Sequence, residues 1–459
     1  MRSDRRAGLG IPQGTALYIA SVLGTGLLLL PGLAAEVAGP ASIVAVLAVI
    51  ALSVPLAGTF AALAARYPDP GGVASYVRRA LGRTAARATG YWFFFGVAAG
   101  VPVLAALGAE YLTAVLHLDR MAVPILMFGL LLPPFVVNML GVRTAGAVQF
   151  VLTGLLVGIV VFVVAAAFPA VEASRFTPFL PHGWTGVGTA ISLFVWAFAG
   201  WEVGTHISGE FRDARRSIPI ATAIALVVTG LAYLLLQIVT VGVLGDAAGD
   251  GAVPLLSLAD AVAPGFGPTA VGAVAAIVVL GVMNAYVAAF GKLGASLAAA
   301  GDLPRVLAPG AETGGVPRRA LLLTFAIAVT YCSIALVTGG DLRTFILIHT
   351  SNMVSIYTAG MIAATLILPR LTTGWFMAVV AAVLSAGLLV LAGGSLIPAA
   401  LLALAAVIVT LWQRVRRSPS ARGSRAGAPA STAADSERSA EVKTAARSAA
   451  RDSALDVPR

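Results

Sequence analysis

Glu202 stands in the middle of an apolar run, in Trp196-Ala-Phe-Ala-Gly-Trp-Glu202. A carboxylate at that depth in hydrocarbon faces a cavity or a partner, because lipid cannot solvate its charge. His206 follows four residues on and Glu210 four beyond that, so on a helix they share one face at successive turns. Two chemistries fit. Either Glu202 and His206 relay a proton, or Glu202 bonds backbone freed beside Gly200. Lys292 is the one lysine inside an apolar run. Either it snorkels towards the cytoplasm, or its ammonium takes the place of a sodium ion between the first and eighth runs.

The first run carries Ser21-Val-Leu-Gly-Thr-Gly26. Gly24 and Gly26 weaken a helix where no water replaces lost backbone bonds, and such a break is tolerated only beside a cavity. The N–H groups it frees at a half-helix N-terminus suit a carboxylate, and the Thr25 hydroxyl adds a donor. The alternative is that the glycines only let helices pack closely. His349, Ser351 and Asn352 make a polar cluster in the tenth run, lining a cavity or bonding between helices. Tyr286 is an aromatic of the eighth run.

The elements that position these residues are membrane spans. The chain has 459 residues, 59% hydrophobic and 11% charged, with mean hydropathy +0.94. A soluble chain is about one quarter charged. Twelve apolar runs reach spanning length: 11–37, 41–65, 84–115, 121–140, 145–168, 186–209, 218–244, 267–300, 320–338, 342–368, 372–391 and 395–412. With the N-terminus inside, sixteen arginines between Arg2 and Arg370 fall in cytoplasmic segments, against Arg120, Arg175 and Arg343 outside. This asymmetry places both termini in the cytoplasm. Residues 1–10 form a cytoplasmic N-terminus, 11–412 the helical domain with breaks near 21–26 and 198–202, and 413–459 a disordered cytoplasmic tail too poor in apolar residues to fold alone.

Composition excludes several functions. The net charge of +10 is spread over short loops and the tail, which is not a nucleic-acid footprint. Cys332 is the single cysteine, so no intrachain disulfide or cysteine-based zinc site forms. No HExxH, GxSxG or Walker A pattern supplies enzyme chemistry. No metal or cofactor is expected, and the sequence carries no signal for an oligomeric state.

Two interrupted spans, the first and the sixth, lie five spans apart, which is the mark of an inverted repeat with its site at the midplane. Several stretches resemble the APC (amino acid–polyamine–organocation) superfamily of permeases. They are the broken Ser21–Gly26 helix, Tyr67-Pro-Asp-Pro-Gly-Gly-Val-Ala-Ser-Tyr76 with Gly82, Phe198-Ala-Gly-Trp-Glu202, Glu210-Phe-Arg-Asp-Ala-Arg-Arg-Ser-Ile-Pro219 and Gly301-Asp-Leu-Pro304. Gly10-Ile-Pro-Gln-Gly14, with Trp196, Gly200, Glu202, His206 and Glu210, is similar to the L-methionine/branched-chain amino acid exporter group.

The resemblance implies an all-α polytopic fold, a LeuT-type 5+5 inverted-repeat bundle of twelve helices. It implies a neutral amino acid as substrate, moved by alternating access in the inner membrane. Gly24, Thr25 and Gly26 match the carboxylate-binding break, and Val22 a carbonyl facing the ammonium. Ala199 and Gly200 match the carbonyls of the sixth helix, Trp196 the aromatic over the substrate, and Tyr286 a second gating aromatic. Glu202, His206 and Lys292 become candidates for proton coupling or gating. Other readings are an importer or exchanger of other amino acids, and a transporter-like amino-acid receptor.

Overall fold

Glycine punctuation divides the first run as its spacing predicts. Helix α1 (Ile11–Leu23) ends at Gly24, whose φ of +34° lies where side chains are disfavoured. Helix α2 (Gly26–Ala38) resumes two residues on. This computed structural model describes residues 8–24, 26–197, 200–249, 258–261, 267–339, 342–392 and 396–417. The tail beyond 417 lies outside the described residues. Residues 1–407 form one unit, and the described part of the second is the end of the last helix.

After α2 come α3 (Ser42–Arg66), α4 (Val73–Leu81), α5 (Arg83–Tyr91) and α6 (Val101–Val115). Helices α7 (Ala122–Met139), α8 (Val142–Ala167) and α9 (Gly183–Ala197) follow. The short α10 (Val203–His206) precedes α11 (Ala214–Leu244). The remainder are α12 (Gly267–Ala299), α13 (Arg318–Val337), α14 (Leu342–Ile367), α15 (Thr373–Ala392) and α16 (Ile397–Arg417). Ten helical stretches among the described residues are long and apolar enough to cross a membrane. Outward-facing Val161, Val383, Val390 and Leu401 are each at least 60% exposed, as helices facing lipid require.

Two expectations need refining. The 84–115 run is not a uniform helix: a π turn at Trp92–Gly96 and a 3₁₀ turn at Val97–Gly100 separate α5 from α6. The irregular carbonyls are held from outside, that of Phe95 by the Tyr331 hydroxyl at 3.0 Å and that of Val97 by His349 Nδ1 at 2.9 Å. The stretch after the second run, whose Pro68-Asp-Pro-Gly-Gly72 reads as a turn, is helical in its second half, as α4. Its polar face carries Arg78 and Arg79, and Val73, Ala74, Tyr76 and Val77 are buried.

Helix α1 packs against α8, α11 and α12, and α2 against α9 and α11. The carbonyl left open at the end of α1 is capped from α11, where the Tyr233 hydroxyl donates to Leu23 O at 2.8 Å. A buried polar chain braces the other side. Asn284 Nδ2 donates to Gln149 Oε1 at 2.9 Å, Gln149 donates to Thr153 Oγ1 at 3.1 Å, and Thr153 donates to Ala16 O at 3.0 Å. Each such bond contributes about 1 kcal/mol, and together they fix α1 against α8 and α12.

Candidate functional site

The second break lies between α9 and α10. Gly200 has a φ of +131°, a backbone region essentially reserved for glycine. Trp201 and Glu202 form a turn and α10 begins at Val203. A Cβ on Gly200 would collide with the Ser21 carbonyl. The two breaks therefore meet backbone to backbone, through the one residue that has no side chain to keep them apart.

Glu202 is fully buried. Its Oε2 accepts from the Gly200 N–H at 3.1 Å and from the Tyr357 hydroxyl at 2.6 Å. The same N–H also reaches the Tyr357 oxygen at 2.9 Å. The carboxylate thus satisfies backbone freed by the break, while its second oxygen, Oε1, has no hydrogen-bond partner among the described residues. The Tyr286 hydroxyl of α12 lies within hydrogen-bonding range of the carboxylate, outside ordinary bond geometry.

A cavity opens beside the first break. Its wall includes Val22, Gly24 and Gly26 of α1 and α2, Met283, Tyr286 and Phe290 of α12, and His349 of α14. Apart from His349, Tyr286 and the hydroxyls of Ser21 and Thr324, which bond the Tyr18 and Ala320 carbonyls of their own helices, the side chains that line it offer it carbon. Backbone at a helix start beside an apolar chamber suits a ligand with a charged head and an apolar body. Gly26→Val would put a branched side chain where backbone faces the cavity. Transport is expected to fall by more than about tenfold, worth about 1.4 kcal/mol, with normal membrane expression; near-parent affinity would mean that the glycine serves packing alone.

The structure brings together Val22, Gly24, Gly26 and Tyr286 at the cavity, and Gly200 and Glu202 at the meeting of the breaks. Thr25 and Ala199 lie outside the described residues, as does the side chain of Trp196. His206 is buried and makes no hydrogen bond to Glu202; its ring packs on Phe93, centroids 4.3 Å apart. Helix α10 is too short to stack the two as successive turns of one face. Lys292 is buried and carries its ammonium to the loop before α13. Its Nζ pairs with Glu210 Oε1 at 2.5 Å and donates to the carbonyls of Gly310, Glu312 and Gly315 at 2.8–3.2 Å. It ties the end of the α10 segment to the loop before α13.

Tyr357 escaped the sequence reading, since a lone tyrosine in an apolar run reads as packing. The aspartate of Gly301-Asp-Leu-Pro304 escaped as well. Asp302 is buried against Arg87, Nε and Nη2 at 2.9 and 2.7 Å, and against Arg78 at 2.7 Å.

A helical membrane bundle in which two interrupted elements meet beside an apolar cavity is the architecture of a small-solute transporter. The chain belongs to the amino acid permease family, which matches residues 9–413. It is 29% identical to the uncharacterized amino acid permease YecA of Bacillus subtilis, over 86% of this chain and 93% of that protein. It is 31% identical to the L-methionine/branched-chain amino acid exporter YjeH of Escherichia coli, over 63% of this chain and 70% of that one. A crystal structure of MhsT in complex with L-phenylalanine aligns with a TM-score of 0.62 at 15% identity, covering 84% of this chain and 98% of that one. That likeness shows a shared fold. The relatives are transporters, not enzymes, and this chain is a multi-pass membrane protein of amino acid transport.

Proposed function

We propose that the chain is a secondary active transporter that exports L-methionine and branched-chain amino acids by alternating access, coupled to protons through Glu202. The apolar cavity against the α1–α2 break carries this reading. The α-carboxylate would meet the N–H groups at Gly26 and the α-ammonium the carbonyls at Val22 and the α9–α10 break. A methionine, leucine, isoleucine or valine side chain would fill the space beside Met283 and Phe290. The exporter YjeH, named for such substrates, supports the choice. The stretch Leu30–Arg66 joins the end of α2 to α3; with α2 assigned instead to an α1–α2 crossing, and α9–α10 counted as one crossing, the total is twelve, in keeping with a LeuT-type inverted repeat. Both termini would then be cytoplasmic, in the inner membrane.

Proteoliposomes test both parts. Labelled methionine and leucine should undergo counterflow, and a proton gradient should bias net flux. Counterflow confined to acidic or basic amino acids would sink the substrate reading. Glu202→Gln keeps an oxygen for the Gly200 N–H and the Tyr357 hydroxyl but fixes the charge at zero. It should hold counterflow within about threefold of the parent, under about 0.7 kcal/mol, and flatten the dependence of net flux on pH. A preserved pH profile in a well-folded variant would move coupling away from Glu202.

A further inference from the structure

Below Glu202, on the side of the 67–72 loop, buried polar atoms that make no hydrogen bond of ordinary length and angle among the described residues gather in one place. They are the hydroxyls of Tyr18, Tyr76 and Thr222, Trp201 Nε1, Glu202 Oε1 and both ring nitrogens of His206, although Tyr18 lies within bonding range of Thr222, Tyr76 of Ser208 and His206 of the Pro70 backbone. Buried polar groups are nearly always satisfied, and where protein supplies no partner, ordered water does. Their clustering is the second point. The Tyr18 ring lies 6.3 Å from the Trp201 ring and fills the space a side chain at Gly204 would need. Its hydroxyl is beside Thr222 and within electrostatic reach of Glu202 and of Tyr76. Tyr76 adjoins Ser208, whose Oγ accepts the Asp69 N–H at 3.1 Å. Asp69 is half-buried in the 67–72 loop. His206 borders the same path, its Nδ1 lying in the space a Cβ on Gly72 would take.

We propose that a file of water molecules threads Glu202, Tyr18, Thr222, Tyr76 and Ser208 to Asp69 and is the proton's route between Glu202 and the face of the loop. This rests on the reading of Glu202 as the coupling residue. The transfer balances without a co-reactant. A proton enters at the Asp69 end, each water or hydroxyl accepts one proton and passes one on, and one proton ends on the Glu202 carboxylate. The file itself is returned unchanged after its hydrogen bonds reorient. Glu202 is faced by Tyr357 of α14, Tyr286 of α12 and Tyr18 of α1. Tyr76 is faced by Tyr18, Asp69 and Arg79. His206 is faced by Phe93 and by backbone at Pro70. Polar side chains therefore border the whole way from the carboxylate to the loop, and Phe93 packs on His206 at the α5–α6 side.

Two measurements on the full-length protein test this. The first is radiolytic footprinting in H₂¹⁸O, which labels buried side chains that contact water. Tyr18, Tyr76 and Trp201 should take up solvent oxygen despite their burial, and Phe60 and Phe194, buried in apolar surroundings, should not. Labelling of the two groups at the same rate, or none of the first group, overturns the file. The second compares Tyr18→Phe and Thr222→Val, which remove hydroxyls and keep shape. Counterflow, which needs no net proton movement, should stay within about twofold of the parent, while proton-driven flux should fall by about tenfold or more. Equal loss of both in the two variants would mean a structural role and overturn the route, as would unchanged proton-driven flux. Glu202→Gln separates the two proposals. If it keeps proton-driven flux while Tyr18→Phe loses it, the coupling residue is wrong and the route stands, ending on His206.

Discussion

Gly200→Ala is expected to lower transport by more than about a hundredfold, roughly 2.7 kcal/mol, although it adds one methyl group. Two independent terms act. A φ of +131° is a region that a residue with a Cβ occupies at a cost of about 1–3 kcal/mol. The Cβ would also strike the Ser21 carbonyl, a backbone atom that cannot swing aside as a side-chain end does. Relieving either term moves the two breaks apart, and with them the Gly200 N–H that Glu202 and Tyr357 both hold. The loss should therefore appear in transport per folded molecule as well as in yield. Gly209→Ala is the matched control. It lies in the 3₁₀ turn Ser208–Glu210, and its Cβ would meet only Thr313 Oγ1 at 3.6 Å, an ordinary contact. Yield by fluorescence-detected size exclusion and counterflow in proteoliposomes should separate the two variants. Equal counterflow would show that the meeting of the breaks tolerates a side chain and has no part in the cycle.

The spans and their interruptions were legible because both follow local rules. A run such as 218–244 must be helical in lipid, and α11 covers it with four more residues at its start. Gly24 and Gly26 mark a break through the same constraint, since a glycine pair inside a span is tolerated only where something satisfies the backbone. What satisfies it was not legible. Tyr233 caps Leu23 from 210 residues away, and Tyr357 reaches Glu202 from 155. No local pattern encodes such pairings. Lys292 shows the same limit in reverse. A lysine in an apolar run suggests a snorkelling side chain or an ion substitute, but that its partners are three particular loop carbonyls and Glu210 only the fold shows. Helix α4 was hidden differently. Nine residues after Pro-Asp-Pro-Gly-Gly are too few for periodicity to outweigh a strong turn signal.

The largest effect on folding is expected at Asp302. Its side chain is fully buried, and so is that of Arg87, whose Nε and Nη2 both donate to Oδ1. Arg78 donates to Oδ2 from a side chain that is 34% exposed, and Arg83 Nε stands 3.7 Å away. Asp302→Asn keeps the shape and removes the negative charge beside a buried guanidinium. Breaking one side of a buried ion pair costs about 3–5 kcal/mol, because the remaining charge stays out of water. Arg78→Ala removes a donor that water partly replaces and leaves the Arg87 pair intact, so it should cost no more than about 1 kcal/mol. The backbone bonds at this corner, Tyr91 Oη to Asp302 O at 2.8 Å among them, survive both changes, so the difference between the variants isolates the carboxylate. Thermal denaturation in detergent should place Asp302→Asn well below the parent and Arg78→Ala close to it. The clamp holds the end of α12 to α4 and α5, and α12 carries Tyr286, Met283 and Phe290 to the cavity. Asp302→Asn should therefore also weaken substrate affinity in whatever fraction folds, although no atom of Asp302 lines the cavity. A variant as stable as Arg78→Ala would show that Arg87 finds other compensation, and that α12 is positioned by its packing alone.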